Sequence, residues 1–246
     1  MLRLIRALTP APPAAGLALE EALFASILRS GNDTLRLWVN DRAVVIGRSQ
    51  SAAAEVEMDR AKELDIPVLR RISGGGTVYH HPGNLNLSLF LVDGRSLGQV
   101  EETFISVGRA IAHIFSELGI HASPCGSSLF IAGKKVGGAA QSRRGNALLY
   151  HTTLLVSPDT IPMATLLRAM RPGYIPIGLP SRPHEVTSLT TAMPGLAIDD
   201  LIIPLTGAIG KLLAVPVTLG EVTKEERSEA CSLSKKYRSD QWNLSR

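Results

Sequence analysis

Two kinds of hydrophobic spacing follow one another along the chain. Apolar residues recur every four positions over residues 17–30, and Gly31 stands just after them. This pattern predicts a helix that ends at a glycine C-cap. Over residues 85–92 four leucines alternate with polar residues such as Asn86 and Ser88. Alternation of this kind predicts a strand whose leucines share one face.

The remaining segments give a mixed order of helices and strands. We predict strands over residues 35–39, 43–47, 67–73, 85–92, 127–133 and 147–156. We predict helices over residues 17–30, 52–65, 96–119, 161–170, 197–214 and 221–236. A Pro/Gly-rich stretch over residues 171–183 is long enough to be a functional loop. Because strict βαβ alternation is missing, we expect an α+β fold with a mixed, largely antiparallel sheet flanked by helices.

Composition indicates an ordinary globular protein but does not identify a ligand. The 246 residues suit a single domain, and 26 basic against 22 acidic residues give a net charge of +4. We see neither a basic face nor a helix-turn-helix, so we expect no nucleic-acid partner. No run of about 18 apolar residues occurs, so we expect no membrane partner and a cytoplasmic location. Two distant cysteines predict no disulfide framework.

The stretch RRISGGGTVYHHPGNLN, residues 70–86, is the first candidate for chemistry. Three glycines between two arginines and a strand can bring backbone amides close to an anion. In a strand Arg70 and Arg71 point to opposite faces, so we expect one of them to face a ligand. A flexible turn with a solvated arginine pair explains the same letters. Neither a dinucleotide-binding pattern nor a Walker loop is present.

Three further features are ambiguous when each is taken alone. GKKVGGAAQ places Lys134 and Lys135 at a glycine turn, where a lysine can bind phosphate or simply be solvated. His151 lies in an apolar strand, where a satisfied core histidine is the commoner case. Cys125 could be a nucleophile, although a small buried hydrophobe is the reading we favour. The adjacent histidines at positions 80 and 81 point apart, so we expect no metal site.

Taken in order, VVIGRSQ, RRISGGGTVYHHPGNLNLS, GKKVGGAAQ and HTTLLV resemble the lipoate–protein ligase A family. GLALEEALF also resembles the first helix of that family, and the likeness spans about residues 15–190. The superfamily includes biotin–protein ligases and octanoyltransferases. The resemblance implies one biotin/lipoate ligase-type catalytic domain over residues 1–246, without the C-terminal accessory domain of longer ligases.

The same resemblance implies a reaction and a set of site residues. Lipoate or octanoate and ATP, with Mg²⁺, would give an acyl-adenylate, and the acyl group would pass to a lysine of an apo lipoyl domain. A separate accessory protein would be a possible further partner. Lys135 would be the catalytic lysine, contacting the α-phosphate and the acyl carbonyl. The residues implied to bind ATP and the lipoyl-adenylate are Arg71, Gly75, Gly76, Thr77, Val78, Tyr79, Lys135 and His151.

The chain departs from the family pattern at three places. His81 stands where an Asp is usual, Ser127 and Ser128 replace an Asn-Asp pair, and Thr152 replaces a glycine. The Asn-Asp pair helps to organise Mg²⁺ and phosphate in relatives, so the handling of Mg²⁺ by this chain stays open. The physical requirement for the apolar tail is an aliphatic tunnel, which we expect the leucine-rich core to supply.

These departures from the family pattern are also compatible with a second reaction, an acyl transfer without ATP. An octanoyltransferase or lipoyl amidotransferase needs no ATP and uses a cysteine thioester, and Cys125 lies about where some relatives carry that nucleophile. Against it, such transferases tend to replace the third glycine of the loop, and Gly76 is present here. We therefore favour the ligase and keep the transferase as the alternative.

Overall fold

The computed structural model describes residues 1–245, and its strands and helices alternate without a strict order. The strands are β1 Leu2–Ala11, β2 Thr34–Asn40, β3 Ala43–Ile46, β4 Val68–Arg70, β5 Val78–His80, β6 Asn84–Leu91, β7 Ala122–Cys125, β8 Ser128–Ile131, β9 Lys134–Arg144, β10 Ala147–Leu155 and β11 Val217–Leu219. The helices are α1 Pro13–Ser30, α2 Ala52–Glu55, α3 Met58–Glu63, α4 Val100–Glu117, α5 Leu189–Ala192, α6 Ile198–Leu212, α7 Lys224–Tyr237 and α8 Asp240–Asn243. Short 3-10 turns lie at Gly94–Leu97, Met163–Thr165 and Arg168–Met170.

Within residues 1–245 the strands form a large and a small sheet. The large sheet has the order β11-β1-β2-β6-β10-β9-β8-β7, and β1 runs parallel to both of its neighbours. In the remainder of this order, β2-β6-β10-β9-β8-β7, every neighbouring pair is antiparallel. The small sheet has the order β4-β3-β5, with one parallel and one antiparallel pair. The expected α+β class with a mixed, largely antiparallel sheet is confirmed.

The two faces of the large sheet differ in polarity. The leucines of β6 face a core built with α4 and α6, where Leu85, Leu87, Leu89 and Leu91 are almost fully buried. The opposite face carries the polar residues of the same strand and turns toward the small sheet. Alternation along one strand therefore separates a leucine core from a polar layer, as the pattern of residues 85–92 predicted.

Helix α1 begins four residues earlier than expected and ends where expected. Pro13 occupies its first turn, a position where proline is tolerated because the first helical N–H groups lack intrahelical acceptors. At the other end Gly31 has φ +72° and its N–H donates to Ile27 O over 3.1 Å, which confirms the glycine C-cap.

Several expected elements differ from the structure. Strands β1, β7, β9 and β11 were not predicted. β1 and β11 pair with strands that are distant in the chain, whereas β7 contains a proline and β9 two glycines, residues that weaken a strand pattern. The expected glycine turn at Lys134 and Lys135 is therefore the beginning of β9. The predicted helix over residues 52–65 is two short helices, because Val56 forms an isolated bridge with Leu167. The predicted helix over residues 161–170 consists of two 3-10 turns around that bridge. None of the helices in the described part is long and apolar enough to cross a membrane.

Candidate functional site

A cavity of about 580 Å³ lies between the polar face of the large sheet and the small sheet. Its inner end is formed by Leu17 and Glu20 of α1 and by Trp38. Its outer end contains Lys135 and the second and third glycines of the GGG loop. The elements that meet here come from both halves of the chain, so the site exists only in the folded protein.

The floor of the cavity follows the register of the large sheet. Trp38 pairs with Asn86, Asn86 with Thr153, and Thr153 with Gly138. These four positions form one row across four strands, from the inner end to the lysine turn. The floor is therefore polar in its middle, and the expected aliphatic tunnel through the leucine core is wrong, because the leucines lie on the other face. Apolar lining comes instead from Leu17, Val45 and Trp38 among others.

The glycine loop presents unpaired amides to the outer end of the cavity. Gly75 has φ +85°, which a residue with a side chain rarely adopts. Among the described residues, no acceptor is found for the backbone N–H groups of Gly75 and Gly76. The amide of Thr77 is different, because it donates to Ser181 Oγ over 2.8 Å. Two of the expected loop amides are thus available to an anion and the third is occupied.

Arg71 lies on the cavity side, and Arg70 does not. The guanidinium of Arg71 donates to Gly74 O over 2.5 Å and to Gly76 O over 2.7 Å, and further donors reach Val45 O and Ser73 Oγ. Burial lowers the pKa of Arg71 to about 10, partly offset by the charge of Glu20. Arg71 is thus the arginine of the pair that lines the cavity. Its hydrogen bonds hold the shape of the loop.

Arg70 is turned to the opposite side of β4 and fastens the C-terminal helix. Its backbone N–H donates to Asn243 Oδ1 over 2.9 Å, and its Nε donates to Trp242 O over 3.0 Å. Its Nη1 donates to the carbonyls of Gly47, Arg48 and Gln50. The two adjacent arginines therefore point to opposite sides, as side chains alternate along a strand. Arg70 bonds to the C-terminal helix, and Arg71 bonds to the glycine loop.

Lys135 and Lys134 also separate, one inward and one outward. Lys135 lines the cavity, and burial lowers its pKa below the usual lysine value. Within the described residues its ammonium has no hydrogen-bond or ion-pair partner. A Cβ at Gly138 would lie 3.1 Å from Lys135 Nζ, so the glycine leaves the room that this side chain uses. Lys134 forms an exposed ion pair with Glu185 at 2.5 Å.

His151 connects the inner and outer ends through a buried polar chain. Its Nδ1 lies 3.0 Å from Glu20 Oε1, and its Nε2 lies 2.6 Å from Ser73 Oγ. Arg71 Nε donates to the same Ser73 hydroxyl over 3.0 Å. The Glu20 carboxylate can only accept, so the His151 Nδ1–H donates to it, and a further hydrogen bond joins Nε2 to the Ser73 hydroxyl. The buried carboxylate thereby fixes both His151 and, through Ser73, the arginine of the loop.

Glu20 keeps its charge in spite of its burial. Desolvation alone would raise its pKa, but His151, a hydrogen bond from Ser88 and the charge of Arg36 lower it to about 2. Ser88 Oγ donates to Glu20 Oε1 over 2.6 Å. Arg36, itself buried, stacks over the Trp38 ring at 4.1 Å. The inner end is therefore an anionic carboxylate surrounded by cations and hydrogen-bond donors.

His80 forms a second, neutral chain beside the cavity. Asn40 Nδ2 lies 3.3 Å from its Nδ1, and its Nε2 lies 3.1 Å from Thr153 Oγ1. Thr153 then donates to Asn86 Oδ1 over 2.8 Å. Burial lowers the pKa of His80 to about 3, so the ring is uncharged near neutrality. His80 therefore forms part of the cavity wall.

The Pro/Gly-rich segment expected to be functional closes the outer end. Leu179 through His184 line the cavity. Ser181 Oγ donates to the buried Glu55 Oε2 over 2.6 Å and accepts from Thr77 N and Gln50 Nε2. The phenol of Tyr174 donates to the other oxygen of Glu55 over 2.5 Å. Two buried polar side chains of the first third of the chain thus tie this segment to the glycine loop.

Three of the expected residues have positions that need comment. Tyr79 sends its phenol away to Asp159 over 2.6 Å, so its contribution to the cavity wall comes from the rest of the residue. Val78 lines the cavity directly. Cys125 is exposed and lines the outer end, so the reading as a buried hydrophobe is wrong. It stands in the short hairpin of β7 and β8, which turns it toward solvent.

The departures from the family pattern also have structural counterparts. His81 is buried outside the cavity, where its Nδ1 accepts from Gly83 N–H over 3.1 Å and its ring packs on Tyr79. Thr152 Oγ1 donates to Gly138 O over 3.1 Å. Ser127 and Ser128 both line the outer end. Of the described residues that line the cavity, the single carboxylate is Glu20 at the inner end, so the outer end offers no acidic ligand to a divalent cation.

Sequence reasoning missed the residues that support the site. Glu20, Glu55, Ser73 and Ser181 were not singled out, although GLALEEALF and RRISGGG contain two of them. Trp38 was seen as a strand residue only. A polar residue in an otherwise buried stretch was the available signal for Glu20 and Glu55.

Relatives with known names share much of this chain. It is 37% identical over 152 residues to a putative lipoate-protein ligase A of Aeropyrum pernix, covering 61% of this chain and 56% of that protein. It is 29% identical to lipoate-protein ligase A subunit 1 of Thermoplasma acidophilum, covering 98% and 96%. It is 28% identical to octanoyltransferase LipM of Symbiobacterium thermophilum, covering 86% of each chain. The matched region thus spans little more than half of the first relative and nearly all of the second.

Solved structures show the same architecture at similar identity. A putative lipoate protein ligase of T. acidophilum with bound lipoic acid has a TM-score of 0.82 at 27% identity, covering 99% of this chain and 98% of that one. A lipoate-protein ligase A bound with ATP has a TM-score of 0.83 at 28% identity, covering 99% and 97%. A bipartite T. acidophilum ligase, described with its E2 lipoyl domain, has a TM-score of 0.83 at 28% identity, covering 99% and 95%.

The family model agrees with these likenesses. The model of the lipoyl protein ligase A/B catalytic domain matches residues 12–209, the span that contains the glycine loop, the lysine turn and the closing segment. The chain therefore belongs to the lipoyl protein ligase A/B catalytic domain family.

Proposed function

We propose that this chain activates lipoate, or octanoate, with ATP and transfers the acyl group to a lysine of an apo lipoyl domain. The observation that carries the proposal is the outer end of the cavity. There the Lys135 ammonium and the N–H groups of Gly75 and Gly76, which have no partner among residues 1–245, line the same space. Such a set of fixed donors suits charge that develops at a phosphate and a carboxylate.

In the first step a carboxylate oxygen attacks the α-phosphorus of ATP, and the bond from that phosphorus to the β-phosphate bridge breaks. Lys135 and the amides of Gly75 and Gly76 stabilise the negative charge of the transferring group. Arg71 holds the loop through the carbonyls of Gly74 and Gly76. The products are the acyl-adenylate and pyrophosphate.

In the second step the amine of the acceptor lysine attacks the acyl carbonyl, loses a proton, and AMP departs. The acyl tail lies along the row from Gly138 to Trp38, with Val78 and Thr77 on the opposite wall. His151 stands beside this row and is held by Glu20. The ATP- and lipoate-bound relatives support the identity of both ligands.

Mg²⁺ belongs to this proposal only as the partner of the nucleotide. The outer end of the cavity has no carboxylate among the described residues, so no protein ligand set fits the ion there. We expect Mg²⁺ to arrive as its ATP complex, in which the phosphates and water supply the ligands. The acceptor lipoyl domain and a separate accessory subunit are further proposals, supported by the bipartite Thermoplasma relative.

A second function is favoured by one observation, the exposure of Cys125 at the outer end of the cavity. An acyl group could pass from a carrier thioester to the Cys125 sulfur, releasing the carrier thiol, and then to the acceptor lysine. This transferase reaction needs no ATP, and the likeness to octanoyltransferase LipM keeps it in view.

One experiment separates the two functions. The protein is incubated with the apo E2 lipoyl domain of T. acidophilum and either lipoate, ATP and Mg²⁺ or octanoyl-carrier protein without ATP. Acylation in the first mixture alone, unchanged in Cys125→Ser, supports the ligase. Acylation in the second mixture that Cys125→Ser abolishes would establish the transferase instead.

A further inference from the structure

One polar atom in the floor of the cavity lacks a partner. Asn86 is 2% exposed and belongs to the row of residues that forms this floor. Among residues 1–245 its amide nitrogen Nδ2 has no hydrogen-bond partner. Buried polar groups in native proteins are nearly always bonded, because a buried donor without an acceptor is costly. An unbonded donor at this place therefore indicates a ligand that supplies the acceptor.

Hydrogen bonds behind the amide set its orientation. Asn40 Nδ2 can only donate, so His80 Nδ1 accepts from it, and in the neutral ring the proton is on Nε2. His80 Nε2–H then donates to Thr153 Oγ1 over 3.1 Å. The hydroxyl hydrogen of Thr153 is left for Asn86 Oδ1, at 2.8 Å. The oxygen of the Asn86 amide is thereby occupied, and the nitrogen is the branch that remains for a ligand.

The strands on either side of Asn86 do not supply the acceptor. Thr153, its neighbour in β10, is already used at Oδ1. Trp38, its neighbour in β2, has only an indole N–H, which donates to Ser88 Oγ over 2.9 Å. Since Asn86 borders the cavity, the acceptor comes from the cavity. Water can supply it in the absence of a ligand, and an acyl tail that fills the row displaces that water.

Asn86 lies at the distance from the reacting group that the end of the tail reaches. Neighbouring strands of a sheet are about 4.8 Å apart, so Asn86 lies about 10 Å from Gly138 along the row. Gly138 is next to the Lys135 ammonium, where the proposed reaction places the carboxyl group. The extended chain of octanoate has about this length. The far end of the tail therefore lies against Asn86.

Lipoate and octanoate differ at this far end. Lipoate carries two sulfur atoms there, in a dithiolane ring, whereas octanoate carries only CH₂ and CH₃ groups. Sulfur is a weak hydrogen-bond acceptor, and a methyl group is none. A site with a fixed buried donor discriminates against an analogue that cannot accept, because the donor then loses its water without compensation.

We propose that Asn86 is a specificity-determining residue, whose Nδ2–H donates to a dithiolane sulfur and thereby favours lipoate over octanoate. The inference rests on the proposed function and deepens it, because it selects between the two acids named there. It requires that the preference depends on sulfur and not on the width of the ring. It also requires that the preference is present in binding alone, before any reaction with ATP.

The probe that isolates the sulfur atoms is 5-cyclopentylpentanoate, in which CH₂ groups replace both of them. Its ring has nearly the shape of the dithiolane but no acceptor. Calorimetry without ATP gives the dissociation constants of lipoate, this analogue and octanoate. The variant is Asn86→Leu, which keeps the approximate size of the side chain and removes the amide. Asn32→Leu, at an exposed position outside the cavity wall, is the matched control.

We expect wild type and Asn32→Leu to bind lipoate roughly tenfold more tightly than the cyclopentyl analogue. In Asn86→Leu this ratio should fall close to one. Octanoate should bind more tightly to Asn86→Leu than to wild type, because it no longer covers an unpaired donor. A ratio near one in wild type would overturn the proposal, as would the wild-type ratio in Asn86→Leu.

Thr153→Val is a second test that does not depend on the folding of Asn86→Leu. It removes the hydroxyl that holds Asn86 Oδ1, so the amide can turn and the ratio of lipoate to analogue affinity should fall severalfold. An unchanged ratio in this variant refutes the orientation on which the proposal depends.

Failure of the proposed ligase activity is visible separately, in lipoate-dependent exchange of pyrophosphate into ATP by the wild-type protein. Absence of exchange together with tighter binding of lipoate than of the analogue would refute the ligase and support the role of Asn86. Exchange together with equal binding of the two acids would support the ligase and refute the role of Asn86.

Discussion

The carboxylate of Glu20 lies 3.0 Å from the imidazole Nδ1 of His151, although 131 residues separate them in the chain. One oxygen of this buried carboxylate meets both the imidazole and the Ser88 hydroxyl, and the imidazole meets Ser73. A single anion at the inner end of the cavity therefore determines how the residues nearer the glycine loop are oriented. The first prediction follows from this pair.

Replacing Glu20 by Leu should reduce lipoate activation by one to two orders of magnitude. The substitution leaves the His151 Nδ1 without its partner and the buried charge of Arg36 without compensation, and a charged hydrogen bond contributes about 1.5–3 kcal/mol. Glu20→Gln keeps a hydrogen-bond acceptor and should retain more activity than Glu20→Leu. The KM for lipoate and the kcat of pyrophosphate exchange are measured, with thermal unfolding as the fold control. Equal activity of the Leu variant and wild type would remove Glu20 from any positioning role.

Lys135→Ala should lower the rate of adenylate formation by about 10²–10³-fold, the usual effect of removing one fixed donor from a site of developing charge. The side chain has no intramolecular partner among residues 1–245, so the melting temperature should change little. Lys134→Ala is the matched control, because its exposed ion pair with Glu185 contributes at most about 1 kcal/mol. Comparable rates for the two variants would contradict the assignment of Lys135.

Ser181→Ala should loosen the closing segment. The change removes the donor to the buried Glu55 Oε2 and the acceptor for Thr77 N, and each unsatisfied buried group costs about 1–3 kcal/mol. We expect faster proteolysis within residues 171–187 and a higher KM for ATP. Ser232→Ala serves for comparison, since within residues 1–245 that exposed hydroxyl bonds only to Ser228 O of its own helix. Unchanged cleavage kinetics in Ser181→Ala would count against this anchoring.

The free energy of unfolding should depend on pH because His80 is buried in its neutral form. Its pKa is about 3 in the folded protein against an ordinary value of 6.5, because burial disfavours the charged ring. Between these values the unfolded chain binds more protons, so the free energy of unfolding falls as the pH drops below about 6.5. The slope for one such group approaches about 1.4 kcal/mol per pH unit.

Urea unfolding at pH 7, 6 and 5 checks this expectation, in a range above the titration of carboxylates. The groups that act on His80 are Glu20, which raises its pKa, and Arg71, His151 and His81, which lower it. His80→Gln should show a smaller slope than wild type. Identical slopes in wild type and His80→Gln would refute a neutral buried ring.

The parts of the site that could be predicted are those formed by residues that are contiguous in the sequence. The glycine loop and the lysine motif are contiguous, so their resemblance to a known family named Gly75, Gly76 and Lys135 as candidates, and all three line the cavity. The supporting contacts were out of reach because they join distant segments. Ser181 and Glu55, for instance, are 126 residues apart.

The fold was predictable to a similar degree and for the same reason. Strand β6 and the C-cap of α1 follow from local periodicity and a glycine. Strand β1 has an irregular burial pattern and exists because β2 and β11 pair with it on either side. The faces of β6 also show why the tail-binding wall was misjudged. The sequence identified two faces, but not which of them the small sheet would cover.

The clasp between Arg70 and the C-terminal helix has a consequence for folding order. The strand that leads into the glycine loop is bonded through Arg70 to Trp242 and Asn243, which follow it by more than 170 residues. Contacts of such sequence separation form late, since the chain between them must first become ordered. During synthesis β4 therefore lacks its contacts with Trp242 and Asn243 until α8 has emerged from the ribosome. A nascent chain can hold every residue of the glycine loop and the lysine turn and still lack the support that sets their shape.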